Sequence, residues 1–394
     1  MTATETATSK KGHVCDFVLS PELIEFQKLA REFAQTEVKP LAARCDLGVV
    51  FPREAVQKAA KLGLLRITVP KAHGGSELGN LAGCVMLEEL NAACASTGVT
   101  VSVHNSLACS PLAKWGTEEQ KRRYFPKLVT GEWLGAYCLS EAGAGSDVAA
   151  LRCEAKKQAD HYLLNGPKLW ITTGSEAQFF IVFARTSADR SKGISAFLVE
   201  KDFPGVGVGK KERKLGLKGS PTTEITLENV KVPLNNLLGQ EGQGFAIALD
   251  TLDGGRLGIA SQSLGITRAC RDLIRDHLNR IVDEKGKPTG GSQAAQYQLA
   301  DIEAELDAFR FLTWRAAVLR DQGQRCSKEA AMAKLAASRL SNRAARAAVS
   351  ILGADGASGL NDAERLLRDA RITEIYEGAT DIQRLVTARA VLGG

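Results

Sequence analysis

Apolar positions recur every three or four residues near both ends of the chain, and they alternate or run together in between. In "PELIEFQKLAREFAQTEVKPLA", Leu23, Phe26, Leu29 and Phe33 keep helical spacing behind Ser20, an N-cap residue type, and Pro21, which suits a first helical turn. The spacing predicts a second helix over 82–97 and others within 104–130. The pattern changes near 131. "RCEAKKQ" (152–158), "FFIVFAR" (179–185), "ISAFLVE" (194–200) and "TEITLENVKV" (223–232) read as strands. "HYLLNGPKLWITTG" sets Asn165-Gly166 between apolar runs, a hairpin signal. Helical period returns near 241. "GFAIALDTLDGGRLGIASQSLGITRACRDLIRDHL" predicts one long helix. Leu299, Ile302, Leu306, Phe309 and Thr313 are spaced like a bundle helix, and "KEAAMAKLAASRLSNRAARAAVSIL" is Ala-rich and strongly helical. The expected fold class is multi-domain α and β. An N-terminal helical domain covers 18–130, a central β domain 131–238, and a C-terminal four-helix-bundle domain 239–394.

A chain of 394 residues is too long for one ordinary core, which fits this division. With 44% hydrophobic and 24% charged residues the balance is that of a globular protein, and a net charge of +6 is mild. The one basic run, "KKERK" (210–214), reads as a solvated loop, with a phosphate or nucleic-acid patch as the alternative. Nine cysteines include no CxxC pair, which predicts free thiols in a reducing compartment and no zinc site; five histidines are too dispersed for a metal cluster. The first 13 residues carry no leader pattern and no apolar stretch is long enough to span a membrane, so a cytoplasmic protein is expected.

Four motifs carry candidate chemistry. "YCLSEAGAGSD" (137–147) places Gly143, Ala144 and Gly145 where backbone amides can approach a ligand, with hydroxyls at Ser140 and Ser146. It is not GxGxxG and has no βαβ surroundings, so the choice lies between a ligand-cradling loop and a plain turn. "KLWITTG" (168–174) sets Trp170 beside Ile171, Thr172 and Thr173, either to stack on a planar cofactor or to fill a core. "DGGR" puts Asp253 and Arg256 on one helical face, which by itself reads as a surface ion pair. Lastly, "ITEIYEGATDIQRL" (372–385) holds Glu377 between Tyr376 and Gly378. A helix over "LNDAERLLRDARITEIYEG" is predicted to start at Asn361 or Asp362 and stop at Gly378; the next starts at Thr380, with Gln383 completing a capping box. Glu377 then lies in a hinge, where the end of a helix dipole raises a carboxyl pKa. It reads as a general base or as an exposed helix-end residue.

Together and in this order, the motifs resemble the acyl-CoA dehydrogenase family over roughly 20–392; "FLTWRAAVLRD", "KEAAMAKLAAS" and "GVTVSVHNSL" are most similar to its short-chain (butyryl) branch. The resemblance implies FAD between the β domain and the C-terminal helices. It implies that Glu377 removes the α-proton of an acyl-CoA as hydride passes to the flavin, giving a trans-2-enoyl-CoA, with an electron-transfer flavoprotein as acceptor. In family terms Leu139, Ser140, Ser146, Trp170, Ile171 and Thr172 line the flavin. Ser146, Asp253, Arg256 and Gly378 serve the substrate. Arg280, Ser350, Gly353, Ala354, Ala379 and Asp381 complete the cofactor site, partly across the subunits of a homotetramer built as a dimer of dimers. No metal, nucleic-acid or membrane partner is implied. Some relatives carry their base on the "DGGR" helix; the matching position here is Gly255, which cannot serve.

The sequence also departs from the family pattern. Ala142 and Ala379 stand where Pro and Thr are usual. "DHLNRIVDEKGKPTGG" (276–291) keeps Arg280 but lacks the following Phe-Gly and carries Asp283 and Glu284; "SILGADG" has Ser350 and Ala354 for the usual Gln and Gly. Negative charge near two phosphates predicts weakened FAD binding. The departures leave a second reading, an FAD-poor, non-catalytic partner subunit of a heteromeric dehydrogenase, and the fold admits a third, a flavoprotein oxidase.

Overall fold

A computed structural model describes residues 19–393; the first 13 residues lie outside that range. The N-terminal third is helical, with α1 (Pro21–Phe33), α2 (Ala42–Leu47), α3 (Arg53–Lys61), α4 (Gly79–Ala93), α5 (Ala95–Val103), α6 (Ser110–Trp115) and α7 (Glu118–Val129). Ser20 caps α1, its hydroxyl accepting from Leu23 N at 3.3 Å, with Pro21 in the first turn. The helix expected over 82–97 is two helices, because Cys94 is extended at φ −155° between α4 and α5.

Eight strands follow: β1 (Gly135–Cys138), β2 (Glu154–Lys157), β3 (His161–Thr172), β4 (Phe179–Arg185), β5 (Ile194–Glu200), β6 (Val206–Lys211), β7 (Thr222–Pro233) and β8 (Leu237–Leu238). They pair in the order β6-β7-β3-β2-β4-β5-β8, with β1 parallel to β4. β4 and β5 are apolar on both faces because both are covered. Phe180, Val182, Phe197 and Val199 face one core, while Phe179, Ile181, Phe183 and Leu198 face the helices. The Asn165-Gly166 hairpin is not formed. β3 runs straight through both residues, and its register with β7 shifts between Leu164 and Gly166. Gly166, at φ 136°, makes this bulge, and a β-carbon there would meet the Cys153 backbone at 2.9 Å. The Asn165 side chain accepts from Asn229 N instead of closing a turn.

The C-terminal part is α8 (Gly244–Leu278), α9 (Gln293–Asp321), α10 (Ser327–Leu352), α11 (Ala354–Ala357), α12 (Ala363–Arg371) and α13 (Thr380–Val391). At 35 residues α8 is about 52 Å long and reaches all layers of the molecule. Small residues bring its neighbours close: Ala330, Ala333, Ala337 and Ala344 of α10 are buried along it. Buried Glu88 and Glu89 of α4 pair with Arg268 of α8 and Arg310 of α9, which fixes the N-terminal helices on the C-terminal bundle.

Candidate active site

The site is built where α8, α10, β1 and the segment between α12 and α13 meet. That segment is not the helix end the sequence predicts. α12 stops at Arg371, a 3-10 turn spans Ile372–Glu374, and Glu377 lies three residues beyond it at φ 51°. Gly378 follows at φ 97°. Two successive left-handed residues turn the chain back, and a non-glycine residue adopts this conformation only when its surroundings hold it there. The capping box is absent as well. Ala379 is the N-cap of α13 without a side-chain bond, and Gln383 Nε2 donates to the Gly378 carbonyl at 2.8 Å.

Glu377 points inward. The residue is half-buried, but its Oε2 is sealed from solvent with no hydrogen-bond partner. Burial pushes its pKa up to about 7, against the opposing pull of the Lys334 ammonium and then the Arg256 guanidinium. The cause is burial in the site rather than the helix end inferred from sequence. A β-carbon at Gly255 of α8 would overlap this carboxylate and approach Leu107 at 3.1 Å. The Glu377 backbone N–H has no acceptor among the described residues.

Arg256 is buried on α8. It donates to Asp253 Oδ1 at 2.6 Å while its Nε has no partner, and Asp253 Oδ2 accepts from Ser327 at 2.5 Å. The pair expected at the surface is therefore interior, with Arg256 Nε 3.9 Å from a β-carbon placed at Gly378. The Tyr376 hydroxyl donates to Gln262 of α8. Tyr137 of β1 is buried with an unpartnered hydroxyl, and burial and the nearby Glu377 charge raise its pKa. Lys334 of α10, which sequence reasoning missed, is buried under this group and donates to the Gly378 carbonyl at 2.5 Å. Inside an Ala-rich helix it carried no motif signal.

The second half of the site lies at the ends of β1 and β3. The loop after β1 is pinned from within. Lys168 of β3 is fully buried and donates to Glu141 Oε1 at 2.7 Å and to the Leu139 carbonyl at 3.2 Å; Glu141 also accepts from Arg152 N and Cys153 N. Beyond it Gly143 and Gly145 face open space, Ser146 is exposed and Ser140 half-buried. Trp170 has φ 62° and is 63% exposed, so it is not a core tryptophan. Thr172 beside it is half-buried, whereas Ile171 packs into the sheet core and leaves only its backbone for a ligand. Buried hydroxyls of Thr173, Ser220 and Thr223 lack partners.

The structure thus gathers Glu377, Gly378, Arg256 and Asp253 into one group, and Leu139, Ser140, Trp170 and Thr172 around a second. Arg280, Ser350, Gly353, Ala354 and Asp381 are not bonded to the Glu377 group. All are exposed, and no hydrogen bond or ion pair among the described residues joins them to Glu377. Asp381 pairs with Arg384. A cleft of about 670 Å³ lined by Thr68, Glu77, Asn80, Lys114 and Asp321 does not include Glu377.

Family models match the whole of this architecture: the acyl-CoA dehydrogenase N-terminal domain over residues 20–132, the middle domain over 136–230 and the C-terminal domain over 242–392. The chain belongs to the acyl-CoA dehydrogenase family. It is 46% identical to the mitochondrial short-chain specific acyl-CoA dehydrogenase of Mus musculus over 368 residues, 93% of this chain and 89% of the mouse protein. Butyryl-CoA dehydrogenase from Megasphaera elsdenii superimposes with a TM-score of 0.93 at 37% identity, covering 96% of this chain and all of that one. A chain solved for the electron transferring flavoprotein of Acidaminococcus fermentans does so with a TM-score of 0.93 at 38% identity, with the same coverage.

Acyl-CoA dehydrogenases are flavoprotein oxidoreductases, and the residues present fit that cofactor class. An exposed indole held in a left-handed conformation, a glycine loop with open space above it and unpartnered hydroxyls behind suit a flat ring with polar edges. Among the described residues no group of His, Cys, Asp and Glu could hold a metal ion, every cysteine is a free buried thiol, and no helix is long and apolar enough to cross a membrane.

Proposed function

We propose that this chain desaturates short-chain acyl-CoA thioesters at the α,β bond, with FAD as cofactor, Glu377 as general base and an electron-transfer flavoprotein as acceptor. The observation that carries this reading is the sealed, unpartnered Oε2 of Glu377 over Gly255. A base whose pKa is near 7 is matched to proton abstraction at neutral pH. Glu377 takes the α-proton, and its own free N–H is a donor for the thioester oxygen, where negative charge develops. Arg256, tied to Asp253, adds positive charge beside the loop. Leu139, Ser140, Ser146, Trp170 and Thr172, with the Ile171 backbone, would hold the cofactor from the β domain. Arg280, Ser350, Gly353, Ala354, Ala379 and Asp381 would hold it from the helices. FAD, when bound, supplies the hydride-accepting chemistry.

Two features support a short chain. The face of α8 next to Glu377 is filled within one turn, with Leu107 against Gly255 and Ser102 and Leu87 against Gly258. The mouse and Megasphaera relatives are named for short and butyryl substrates. The likeness to the Acidaminococcus chain supports the acceptor. The reading includes a homotetramer, for which exposed Leu385 and Val391 on α13, with Leu392 just after it, offer apolar contact surface.

Anaerobic mixing tests the reading. The purified protein should be yellow, and butyryl-CoA should bleach it at least roughly tenfold faster than dodecanoyl-CoA, the order of discrimination a filled pocket gives. Equal rates would remove the short-chain assignment, and no bleaching by any acyl-CoA would remove the dehydrogenase reading. A colourless protein would favour the FAD-poor subunit.

A further inference from the structure

We propose that Lys334 is a positioning residue for the base: its ammonium clamps the Gly378 carbonyl and supplies the uncompensated positive charge that keeps Glu377 ionised at neutral pH. This rests on the reading of Glu377 as the base.

Lys334 lies in the first third of α10 between buried Ala331, Ala333 and Ala337, with no exposed surface. A buried ammonium is unfavourable unless it is bonded or balanced by charge. Its one hydrogen bond among the described residues is to the Gly378 carbonyl at 2.5 Å. That carbonyl also accepts from Gln383 Nε2, so two buried donors from two helices converge on the peptide just after the left-handed Glu377. Together they hold the turn that aims the carboxylate at Gly255.

The charges around Glu377 decide which cation matters. From α8 it faces Arg256, whose charge Asp253 offsets in part through an ion pair at 2.6 Å. From β1 it faces Tyr137, and on its own segment Tyr376; burial keeps both phenols neutral. Glu374 acts on Lys334 from further off. Among the described residues Lys334 has no carboxylate within ion-pair distance, so no bonded anion offsets its charge on Glu377. Its pull exceeds that of Arg256, and burial lowers its own pKa to about 8. Removing this charge leaves burial opposed only by the weaker pull of Arg256, which drives the Glu377 pKa further up.

The test uses the holoenzyme. Lys334→Met should move the acid limb of the pH profile for flavin reduction up by a unit or more, about a fivefold or larger loss of ionised base at pH 7. Gln383→Leu, which removes a hydrogen bond but no charge, should lower the rate without moving the limb. Lys334→Arg should restore the limb. Lys334→Gln, which keeps a donor for the carbonyl, should shift the limb as Met does and serves if Met fails to fold. An infrared titration of the Glu377 carboxyl band, with Glu377→Gln as the blank, reads the same quantity without turnover. In the unaltered protein the band should titrate near neutrality and in Lys334→Met a unit or more higher; a band that titrates at the same pH in both overturns the proposal. So does an unmoved limb in both neutral variants while Glu377→Gln is inactive. Full activity of Glu377→Gln would instead overturn the reading of Glu377 itself.

Discussion

The carboxylate of Glu377 takes the space that a β-carbon on Gly255 would need. The glycine on α8 and the acid on the α12–α13 segment are 122 positions apart in sequence and form one feature: a helix face left bare so that a side chain from elsewhere can lie against it.

Gly255→Ala is the direct test of that relationship. Alanine favours a helix by about 1 kcal/mol over glycine, so the substitution does not harm α8 itself. The added methyl meets the carboxylate and Leu107. A base displaced by about 1 Å costs on the order of a hundredfold in rate. The expected outcome is a hundredfold slower reduction by butyryl-CoA with a melting temperature within a few degrees of the parent. An unchanged rate would mean that the carboxylate works from another position.

Glu377→Gln should retain flavin and acyl-CoA binding and lose several powers of ten in flavin reduction, each about 1.4 kcal/mol of barrier. It should also change how stability depends on pH. Burial raises the Glu377 pKa from 4.5 to about 7. Between those values the folded state binds more protons than the unfolded state, so this group's contribution to stability falls as pH rises. Wild type and Gln variant should therefore be equally stable near pH 4.5. The variant should be more stable above pH 7, by on the order of 2 kcal/mol after allowing for the partial exposure of residue 377. Chemical denaturation at both pH values reads this; a gap that does not change with pH would place the carboxyl in water.

The long elements were legible because their periods are unambiguous. α8 covers the predicted run residue for residue, and β4 and β5 coincide with "FFIVFAR" and "ISAFLVE". Local rules failed where a tertiary partner decides. Asn165-Gly166 has hairpin chemistry, but strands on both sides of β3 make it a bulge. Gln383 has capping-box spacing, but the Gly378 carbonyl claims its amide. Glu377 was found through its motif. Lys334 was not, because an ammonium in an Ala-rich helix becomes special only when a carbonyl 44 positions away arrives over it.

Lys168→Met should unsettle the loop after β1. Breaking a buried ion pair costs about 3–5 kcal/mol. Here the lower end applies, because Glu141 keeps two backbone donors, Arg152 N and Cys153 N. Urea denaturation should show a loss near 3 kcal/mol, and flavin should leave on dialysis because Leu139 and Ser140 lose their anchor. A variant that loses under 1 kcal/mol and keeps its flavin would show that the loop holds without the lysine.

The 281–291 segment gives a prediction in which charge and structure oppose each other. By charge alone, Asp283 repels the phosphates of FAD, and Asp283→Ala would tighten binding. In the fold its Oδ1 accepts from Lys285 N and Lys287 N, both at 2.9 Å, and builds the turn that pairs Val282 with Pro288. Gly286, Gly290 and Gly291 all have positive φ, and the Asp283 carboxylate works alongside backbone bonds from Asp283 N to the Lys287 carbonyl and from Thr289 N to the Ile281 carbonyl, at 2.9 and 2.8 Å. Removing two charge-assisted bonds from an exposed turn frees several residues, each costing about 1 kcal/mol or more to order again on binding. The carboxylate's repulsion is partly spent on those N–H groups and screened by solvent. The structural effect wins, and Asp283→Ala should release flavin faster than wild type during dialysis, in the same direction as Arg280→Ala. Slower release would restore the repulsion argument; full retention in both variants would mean that this segment does not touch the cofactor.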